Sequence, residues 1–126
     1  MYNKNNIFAK IIRGEINSNK VYEDDDVLAF HDISKAAPVH VLVIPKGEYL
    51  DFGDFVAKAG AKKVENFFQK VSHVAGLLGL EKSGYRLISN VGADALQSVP
   101  HFHVHVLGKK RLGPLVVGDG SNLAHI

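Results

Sequence analysis

The stretch that most constrains this chain is His101-Phe-His-Val-His-Val-Leu107, in which histidine and apolar residues alternate. Successive side chains of a β-strand point to opposite faces, so this period of two predicts a strand over residues 101–107. His101, His103 and His105 then lie on one face, about 6.6 Å apart, given a rise of about 3.3 Å per residue. The opposite face is apolar and is expected to join a core.

The pattern of the whole chain predicts one α+β domain, residues 1–126. The predicted elements are a short helix over 7–12 stopped by Gly14, a hairpin of strands over 20–22 and 27–31, a buried strand over 39–44, a long helix over 54–78 ended by Gly79, a strand over 85–90 and the histidine strand. Strands in neighbouring pairs favour a largely antiparallel sheet over alternating parallel units. We therefore expect an antiparallel sheet of about five strands with one long and one short helix.

Composition excludes several classes of protein. The chain has no cysteine, so disulfides, thiolate metal sites and cysteine nucleophiles are excluded, and histidine must carry any comparable chemistry. No segment approaches the roughly 20 apolar residues of a membrane span, so we expect a cytoplasmic protein without a membrane partner. The net charge is +2 and the basic residues are scattered, which argues against nucleic acid as a partner. The acidic run at 23–26 is interpreted as a solvated turn.

Three interpretations fit a row of three histidines. An exposed amphipathic strand is the simplest, although Thr, Lys or Glu would be more usual on such a face. A zinc site is the second, but the outer pair would be about 13 Å apart on a flat strand, too far for one ion with bonds near 2 Å. His40 offers another ligand, yet no Cys, Asp or Glu lies at ligand spacing near it in the sequence. We therefore predict no metal and no cofactor.

Covalent catalysis is the third interpretation and the one that uses all three side chains. Neutral imidazole can attack phosphorus without first losing a proton, and His103, in the middle, is the natural nucleophile. His101 and His105 are predicted to hold phosphate oxygens or to donate a proton to the leaving group. His103 must donate its other ring proton to an acceptor, for which His40 is the expected group. Ser98, in the preceding loop, is expected to reach the same phosphate.

Residues 97–108, Gln-Ser-Val-Pro-His-Phe-His-Val-His-Val-Leu-Gly, resemble the motif of the histidine triad family. The resemblance continues over residues 7–15, 30–34, 37–46 and 85–90. The Gln-Ser pair before the triad is similar to the Hint branch of nucleoside phosphoramidases. The resemblance implies a homodimer with joined sheets that hydrolyses purine nucleoside phosphoramidates, as an adenosine 5'-monophosphoramidase does. It also implies a nucleotidyl intermediate on His103 and a purine nucleoside monophosphate, or its amine conjugate, as the ligand.

The resemblance extends to individual site residues. The residues expected to be catalytic are His103, His105, His101, His40 and Ser98. The residues expected to bind substrate are Asp32, Ile33, Phe8, Ile11, Asn90, Leu96, Gln97, Ser98, His103 and His105. Among these, the resemblance implies that Asp32 binds the ribose hydroxyls, that Ile33, Phe8 and Ile11 surround the purine, and that Asn90 lies near the phosphate. Without the resemblance, Asp32 fits a turn cap nearly as well, and Phe8 and Ile11 fit a core equally well.

Some features depart from the pattern or leave alternatives open. Ala95-Leu96 stands where many Hint relatives have small residues or glycine, which predicts a reshaped phosphate loop. His31, His73 and His125 are interpreted as surface or packing residues. The alternative functions are a dinucleoside polyphosphate hydrolase and a non-catalytic nucleotide- or zinc-binding interaction module.

Overall fold

A computed structural model describes residues 1–116. Its elements are α1 (Ile7–Ile12), β1 (Lys20–Glu23), β2 (Val27–His31), β3 (Val39–Pro45), α2 (Phe52–Lys58), α3 (Ala61–Leu77), β4 (Tyr85–Ile88) and β5 (Val104–Gly108). The strands form one sheet in the order β1-β2-β3-β5-β4, with every neighbouring pair antiparallel. The predicted α+β class and five-stranded antiparallel sheet are confirmed. No helix in the described range is long and apolar enough to cross a membrane.

Local side-chain caps define the first elements of the chain. The Asn6 side chain accepts a hydrogen bond from the Ala9 N–H at 2.9 Å, which satisfies an otherwise free donor at the start of α1. Gly14 follows this helix with φ +79°, a conformation that glycine adopts without strain. In the turn between β1 and β2, Asp24 accepts from the N–H groups of Asp26 and Val27, both at 2.8 Å. Asp24 therefore stabilises the turn of the hairpin, which lies within the acidic run at 23–26.

Strand β3 is the centre of the sheet and brings the site residues together. It is buried over almost its full length, as its aliphatic sequence predicts, and it lies between β2 and β5. The register places His40 opposite Leu107 and its neighbour Leu42 opposite His105. The backbone N–H of Asp32, just after β2, donates to the His40 carbonyl at 2.9 Å. Asp32, His40 and His105 therefore lie on adjacent segments, although they are far apart in sequence.

The prediction of one long helix over 54–78 is wrong. The segment forms two helices, α2 and α3, separated at Gly60, whose φ of +87° and ψ of 156° are incompatible with a continuous helix. The predicted stop at Gly79 agrees with the structure, in which this residue has φ +71° directly after α3. A continuing apolar pattern hid the break, because both helices place apolar residues against the same sheet.

The histidine strand also begins later than predicted. Regular pairing starts at Val104, so His101 and His103 precede β5. Their segment uses other partners: the Phe102 N–H donates to the Tyr49 carbonyl at 2.8 Å. The faces still alternate as predicted, because Phe102 and Val104 join one apolar cluster while the His103 ring contacts Phe8 on the other side.

The two faces of the sheet carry separate buried clusters. The helix-side core is apolar and comprises Val27, Ala29, Val41, Val43, Phe55, Phe67, Val71, Val74, Leu80, Phe102, Val104 and Val106. The pocket-side core is smaller and comprises Phe8, Ile11, Leu28, Phe30, Leu42 and Ile44. Helices α2 and α3 supply residues to the first cluster, and the short α1 supplies residues to the second. The histidines lie beside the second cluster, where less helix covers the sheet.

Candidate active site

A cavity of about 740 Å³ opens on the pocket side of the sheet. Its walls come from α1, the segment after it, the end of β2 and the histidine segment. The lining residues are Ile7, Phe8, Ile11, Ile16, Asn17, Ser18, Asn19, Phe30, His31, Asp32, Ile33, Ser34, Lys35, Leu42, Ser98, Val99, His103 and His105. Its volume and its mixture of apolar walls with a few polar groups are typical of a small-molecule site.

His103 is held so that one ring nitrogen remains free toward this cavity. Its Nδ1 lies 2.7 Å from the His101 backbone carbonyl oxygen. A carbonyl can only accept, so Nδ1 carries the proton and the lone pair of the neutral ring is on Nε2. Within residues 1–116, no group hydrogen-bonds to that Nε2. The Phe8 ring meets the His103 ring edge to face, at a centroid distance of 4.9 Å, and packs beside it.

A second hydrogen-bond chain fixes the protons of His40 and His105. The Ala36 N–H donates to His40 Nδ1 at 3.0 Å, which leaves the proton of neutral His40 on Nε2. That Nε2–H faces His105 Nδ1 at 2.9 Å and Asp32 Oδ2 at 3.4 Å. His105 Nδ1 is then an acceptor, and the proton of neutral His105 is on Nε2. His105 lines the cavity, so it offers a donor where His103 offers a lone pair.

The expectation that His40 orients His103 is therefore wrong. The backbone carbonyl of His101 accepts the His103 Nδ1 proton, and His40 bonds to His105 instead. The segment that precedes β5 bends its own carbonyl toward the ring two residues later, which sequence alternation does not reveal. His40 is 5% exposed and acts on the site through its hydrogen bond to His105.

His101 lies behind the cavity instead of lining it. It is fully buried, and its Nε2 lies 2.7 Å from the Pro45 carbonyl oxygen, so that nitrogen carries the proton. The Tyr2 hydroxyl donates to the remaining nitrogen, Nδ1, at 2.7 Å. His101 therefore faces two protein partners, and it meets the site through its backbone carbonyl.

Burial keeps the four imidazoles neutral. It lowers the pKa of His101 to about 4, against a partial increase from the Pro45 hydrogen bond. Burial is also the main reason that the pKa of His105 falls to about 4, and the neighbouring His103 and His40 add to this effect. The pKa values of His103 and His40 are lowered too, again mainly by burial. At neutral pH the cluster thus presents a lone pair and donors without a net positive charge.

Asp32, His40 and His105 place possible metal-ligand atoms within 4.8 Å of one another. The sequence reading that no acid lies near His40 is therefore wrong, because β2 brings Asp32 there from outside the local sequence. The hydrogen-bond geometry does not fit a metal ion, however. His40 Nδ1 accepts from a backbone N–H, so a metal on Nε2 would require a fully deprotonated ring. The arrangement instead matches a hydrogen-bond cluster in which the proton on His40 Nε2 faces two acceptors, His105 Nδ1 and Asp32 Oδ2.

The structure brings some of the predicted substrate residues to the cavity and leaves others outside it. Asp32, Ile33, Phe8, Ile11 and Ser98 all line it, together with His103 and His105. Within the described residues, Asp32 Oδ1 also accepts from the Ser34 N–H at 2.8 Å, so it caps a turn as well. These placements agree with the predicted contacts, which remain predictions.

Gln97, Leu96 and Asn90 do not line the cavity. The Gln97 amide donates to the Leu50 carbonyl at 2.9 Å and to the Val99 carbonyl at 3.1 Å, and its oxygen accepts from the N–H of a loop glycine. This side chain therefore braces the loop. Leu96 is 85% exposed with φ +59°, a left-handed conformation that glycine would adopt more easily. The loop thus keeps a glycine-like backbone despite its leucine.

Sequence reasoning missed several residues at the site. His31, interpreted as surface or packing, lines the cavity, as does the polar segment at 17–19. The position of His31 directly before Asp32 at the end of a strand was the available signal. Tyr2 gave no signal, since it lies 99 positions from His101. His73 packs against Tyr22 on the other side of the sheet, and His125 lies outside the described residues.

Comparison with known proteins agrees with this architecture. A family model described as the HIT domain matches residues 13–112. The chain is 40% identical over 114 residues to a purine nucleoside phosphoramidase of Escherichia coli K12, covering 90% of this chain and 95% of that protein. It is 48% identical over 116 residues to an uncharacterized HIT-like protein of Rickettsia prowazekii, covering 92% and 97%.

Solved structures give the same result. A HIT family hydrolase from Clostridium thermocellum superposes with a TM-score of 0.83 at 40% identity, covering 91% of this chain and 99% of that one. A HIT family hydrolase from Legionella pneumophila superposes with a TM-score of 0.80 at 38% identity, covering 85% and 95%. The family model spans most of the chain, and both sequence and fold agree with it over nearly the whole length. The chain belongs to the HIT domain family.

Proposed function

We propose that this protein hydrolyses purine nucleoside phosphoramidates through a nucleotidyl intermediate on His103. One observation carries the proposal: His103 Nε2 keeps its lone pair at the cavity while Nδ1–H is bound to the His101 carbonyl. That arrangement is the one a histidine nucleophile needs, since the hydrogen bond stabilises the positive charge that develops on the ring. The E. coli relative named a purine nucleoside phosphoramidase supports the same reaction.

The proton positions divide the reaction between two histidines. His103 Nε2 attacks phosphorus, the P–N bond breaks, and the departing nitrogen takes a proton. Water supplies that proton, and His105 Nε2–H donates a hydrogen bond to the departing nitrogen, because its Nδ1 accepts from His40 and a neutral ring keeps its single ring proton. A second water then attacks the nucleotidyl group and releases His103, and its proton neutralises the hydroxide left by the first. The net products are the amine and the nucleoside monophosphate.

The rest of the cavity suits a nucleoside monophosphate. Phe8, Ile11 and Phe30 provide apolar walls for a flat base, and Asp32 provides carboxylate oxygens for ribose hydroxyls. Among the described residues, Lys35 is the one lysine or arginine in the lining. A polyphosphate chain carries several negative charges and would normally be matched by more cationic groups. The cavity therefore favours a phosphoramidate over a dinucleoside polyphosphate.

The experiment compares two substrates under the same conditions: an adenosine 5'-phosphoramidate and a diadenosine polyphosphate. We expect kcat/KM to be about 100-fold higher for the phosphoramidate, equivalent to about 2.7 kcal/mol of transition-state stabilisation. A chelator-treated sample serves as control and should retain full activity. The reverse preference would support the dinucleoside polyphosphate hydrolase. Nucleotide binding without turnover of either substrate would support the non-catalytic module, and activity lost with the chelator would require a metal.

We also propose a homodimer, the single-domain organisation of residues 1–126 and a cytoplasmic location without a nucleic-acid partner. Strand β4 supports the first of these, because it pairs with β5 on one side and is an edge of the described sheet. Its outward residues Tyr85 and Leu87 are exposed, at 39% and 47%. An exposed edge with apolar side chains is suited to pairing with a second copy. Sedimentation equilibrium should give twice the chain mass at micromolar concentration, and a monomer would contradict the proposal.

A further inference from the structure

The N-terminal segment packs against the side of the histidine cluster that faces away from the cavity. The Tyr2 ring lies edge to face against the His101 ring, with centroids 5.7 Å apart, and its hydroxyl is 2.7 Å from His101 Nδ1. The residues that follow are tied to the start of α1. The Asn6 N–H and side-chain amide both reach the Asn3 carbonyl, at 3.2 and 2.8 Å, and Arg13 donates to the Lys4 carbonyl at 2.8 Å.

The direction of the Tyr2 hydrogen bond is determined by the other partner of His101. The Pro45 carbonyl can only accept, so it holds the His101 proton on Nε2 and leaves Nδ1 as an acceptor. Tyr2 is therefore the donor. Burial raises the pKa of Tyr2 above its ordinary value, which keeps the hydroxyl protonated near neutral pH. His101 is fully buried, so without Tyr2 its Nδ1 lone pair would be enclosed with no protein partner among the described residues.

His101 transmits its position to the nucleophile through its own backbone. Its carbonyl accepts the His103 Nδ1 proton at 2.7 Å, and it does not line the cavity. A ring held at both nitrogens limits rotation of the residue that carries this carbonyl. A change in the carbonyl direction would turn the His103 ring and move Nε2 away from the line of attack.

We propose that Tyr2 is a positioning residue for the reaction, and that its hydroxyl orients His103 through His101. This inference relies on the proposed function, in which His103 is the nucleophile. It assigns a role in turnover to the second residue of the chain, outside the motif that carries the chemistry. Tyr2 does not line the cavity, so its effect is expected in kcat and not in nucleotide affinity.

The test replaces the hydroxyl alone, with Tyr2→Phe. We expect kcat to fall about ten-fold while KM changes less than about two-fold, since the orientation of the nucleophile changes and the binding surface does not. Tyr22→Phe is the matched control: its hydroxyl bonds to Asp24 in the hairpin turn, and kcat should be unchanged. Tyr2→Ala removes the ring as well as the hydroxyl, and its kcat should be only slightly lower than that of Tyr2→Phe.

A spectroscopic measurement distinguishes positioning from general loss of structure. Proton–nitrogen correlation spectra of the wild-type imidazoles should show His101 protonated on Nε2, with its Nδ1 shifted by a strong hydrogen bond, and His103 protonated on Nδ1. In Tyr2→Phe the His101 Nδ1 resonance should move toward the value of a free acceptor. Wild-type kcat in Tyr2→Phe, or a loss seen only in Tyr2→Ala, would overturn the inference. Absence of phosphoramidase activity in the wild type would instead refute the proposed function, and the spectra would still report the Tyr2–His101 bond.

Discussion

The two faces of the sheet use the same strands for different purposes. Val41 and Val43 of β3 enter the helix-side core, while the alternating residues His40 and Leu42 face the pocket side. The helix-side core is covered by two helices and includes three closely packed phenylalanines. The pocket side has one short helix, four histidines with lowered pKa values and an open cavity.

The difference shows how a small domain holds a neutral histidine cluster in place. Burying polar rings is unfavourable unless their hydrogen bonds are satisfied, and among the described residues backbone groups pair with three of the ring nitrogens and side chains with three others. Phe102 packs on the helix side while the residues on either side of it, His101 and His103, face the other way. Apolar packing on one face thus fixes the backbone that carries the histidines of the other face. Mutations on the two faces should therefore separate stability from chemistry.

The largest effect is expected for His103→Asn. The asparagine amide can still donate to the His101 carbonyl, but it has no nucleophilic lone pair. Turnover of an adenosine phosphoramidate should fall by about 1,000-fold or more, as measured by steady-state kinetics. Nucleotide affinity and the free energy of unfolding should change little. Turnover above a tenth of the wild-type value would mean that another group is the nucleophile.

On the opposite face, Phe67→Ala should lower the stability of the protein and leave its turnover almost unchanged. Phe67 is 1% exposed and packs against Phe55 and Phe102, so its truncation leaves a cavity in the helix-side core. The free energy of unfolding, from urea denaturation, should fall by about 3–5 kcal/mol. Activity per folded molecule at low temperature should remain within about three-fold of wild type. Phe67→Leu is the control with a smaller loss, and an equal loss in both variants would contradict tight packing here.

Acid should destabilise the protein through the pocket side. His101 has a pKa of about 4 when folded and about 6.5 when unfolded, so the unfolded chain takes up the proton first as the pH falls. Above pH 6.5 this residue contributes no pH dependence. Between pH 6.5 and pH 4, protonation of His101 in the unfolded chain should lower the free energy of unfolding by about 3 kcal/mol. About 2 kcal/mol of this decrease should be reached by pH 5, where most carboxylates are still ionised. Urea titrations at several pH values measure the loss, and a flat profile would contradict neutral burial of His101.

The smallest effect is expected for Gly60→Ala at the junction of α2 and α3. Within residues 1–116, no atom beyond its two chain neighbours lies within 4 Å of the added methyl group, so the effect comes from a backbone conformation that alanine avoids. The free energy of unfolding should fall by about 2 kcal/mol while kcat/KM stays unchanged. Gly53→Ala, inside α2 with ordinary contact to its added methyl group, is the control and should be neutral or stabilising by up to about 1 kcal/mol. Equal changes in the two variants would show that the junction does not require glycine.

Sequence periodicity predicted the sheet well because burial imposes the pattern on each strand locally. It placed the hairpin, β3, β4 and the alternating faces of the histidine segment correctly. It joined α2 to α3, because apolar spacing continues across Gly60 and the break depends on a single residue's backbone. Start and end points were less accurate where loops supplied hydrogen bonds, as for His101 and its neighbours before β5.

The site was predictable in its residue types and less so in its connections. The alternation of His101, His103 and His105 predicted the side of the sheet on which their rings lie. The partner of each ring nitrogen could not be predicted, because Ala36, Pro45 and Tyr2 reach the cluster from distant or non-periodic segments. Backbone donors and acceptors are the same in every residue and leave no mark in the sequence. Proton positions therefore follow only from the folded structure.

The proposed reaction requires that His103 Nε2 become attached to phosphorus. The measurement is the intact mass of the protein during turnover of an adenosine phosphoramidate, quenched at alkaline pH, followed by peptide mapping of the modified residue. We predict the added mass of one adenylyl group, located on His103 and absent from His103→Asn. Steady turnover with no adduct, or an adduct on any other residue, would contradict His103 as the nucleophile.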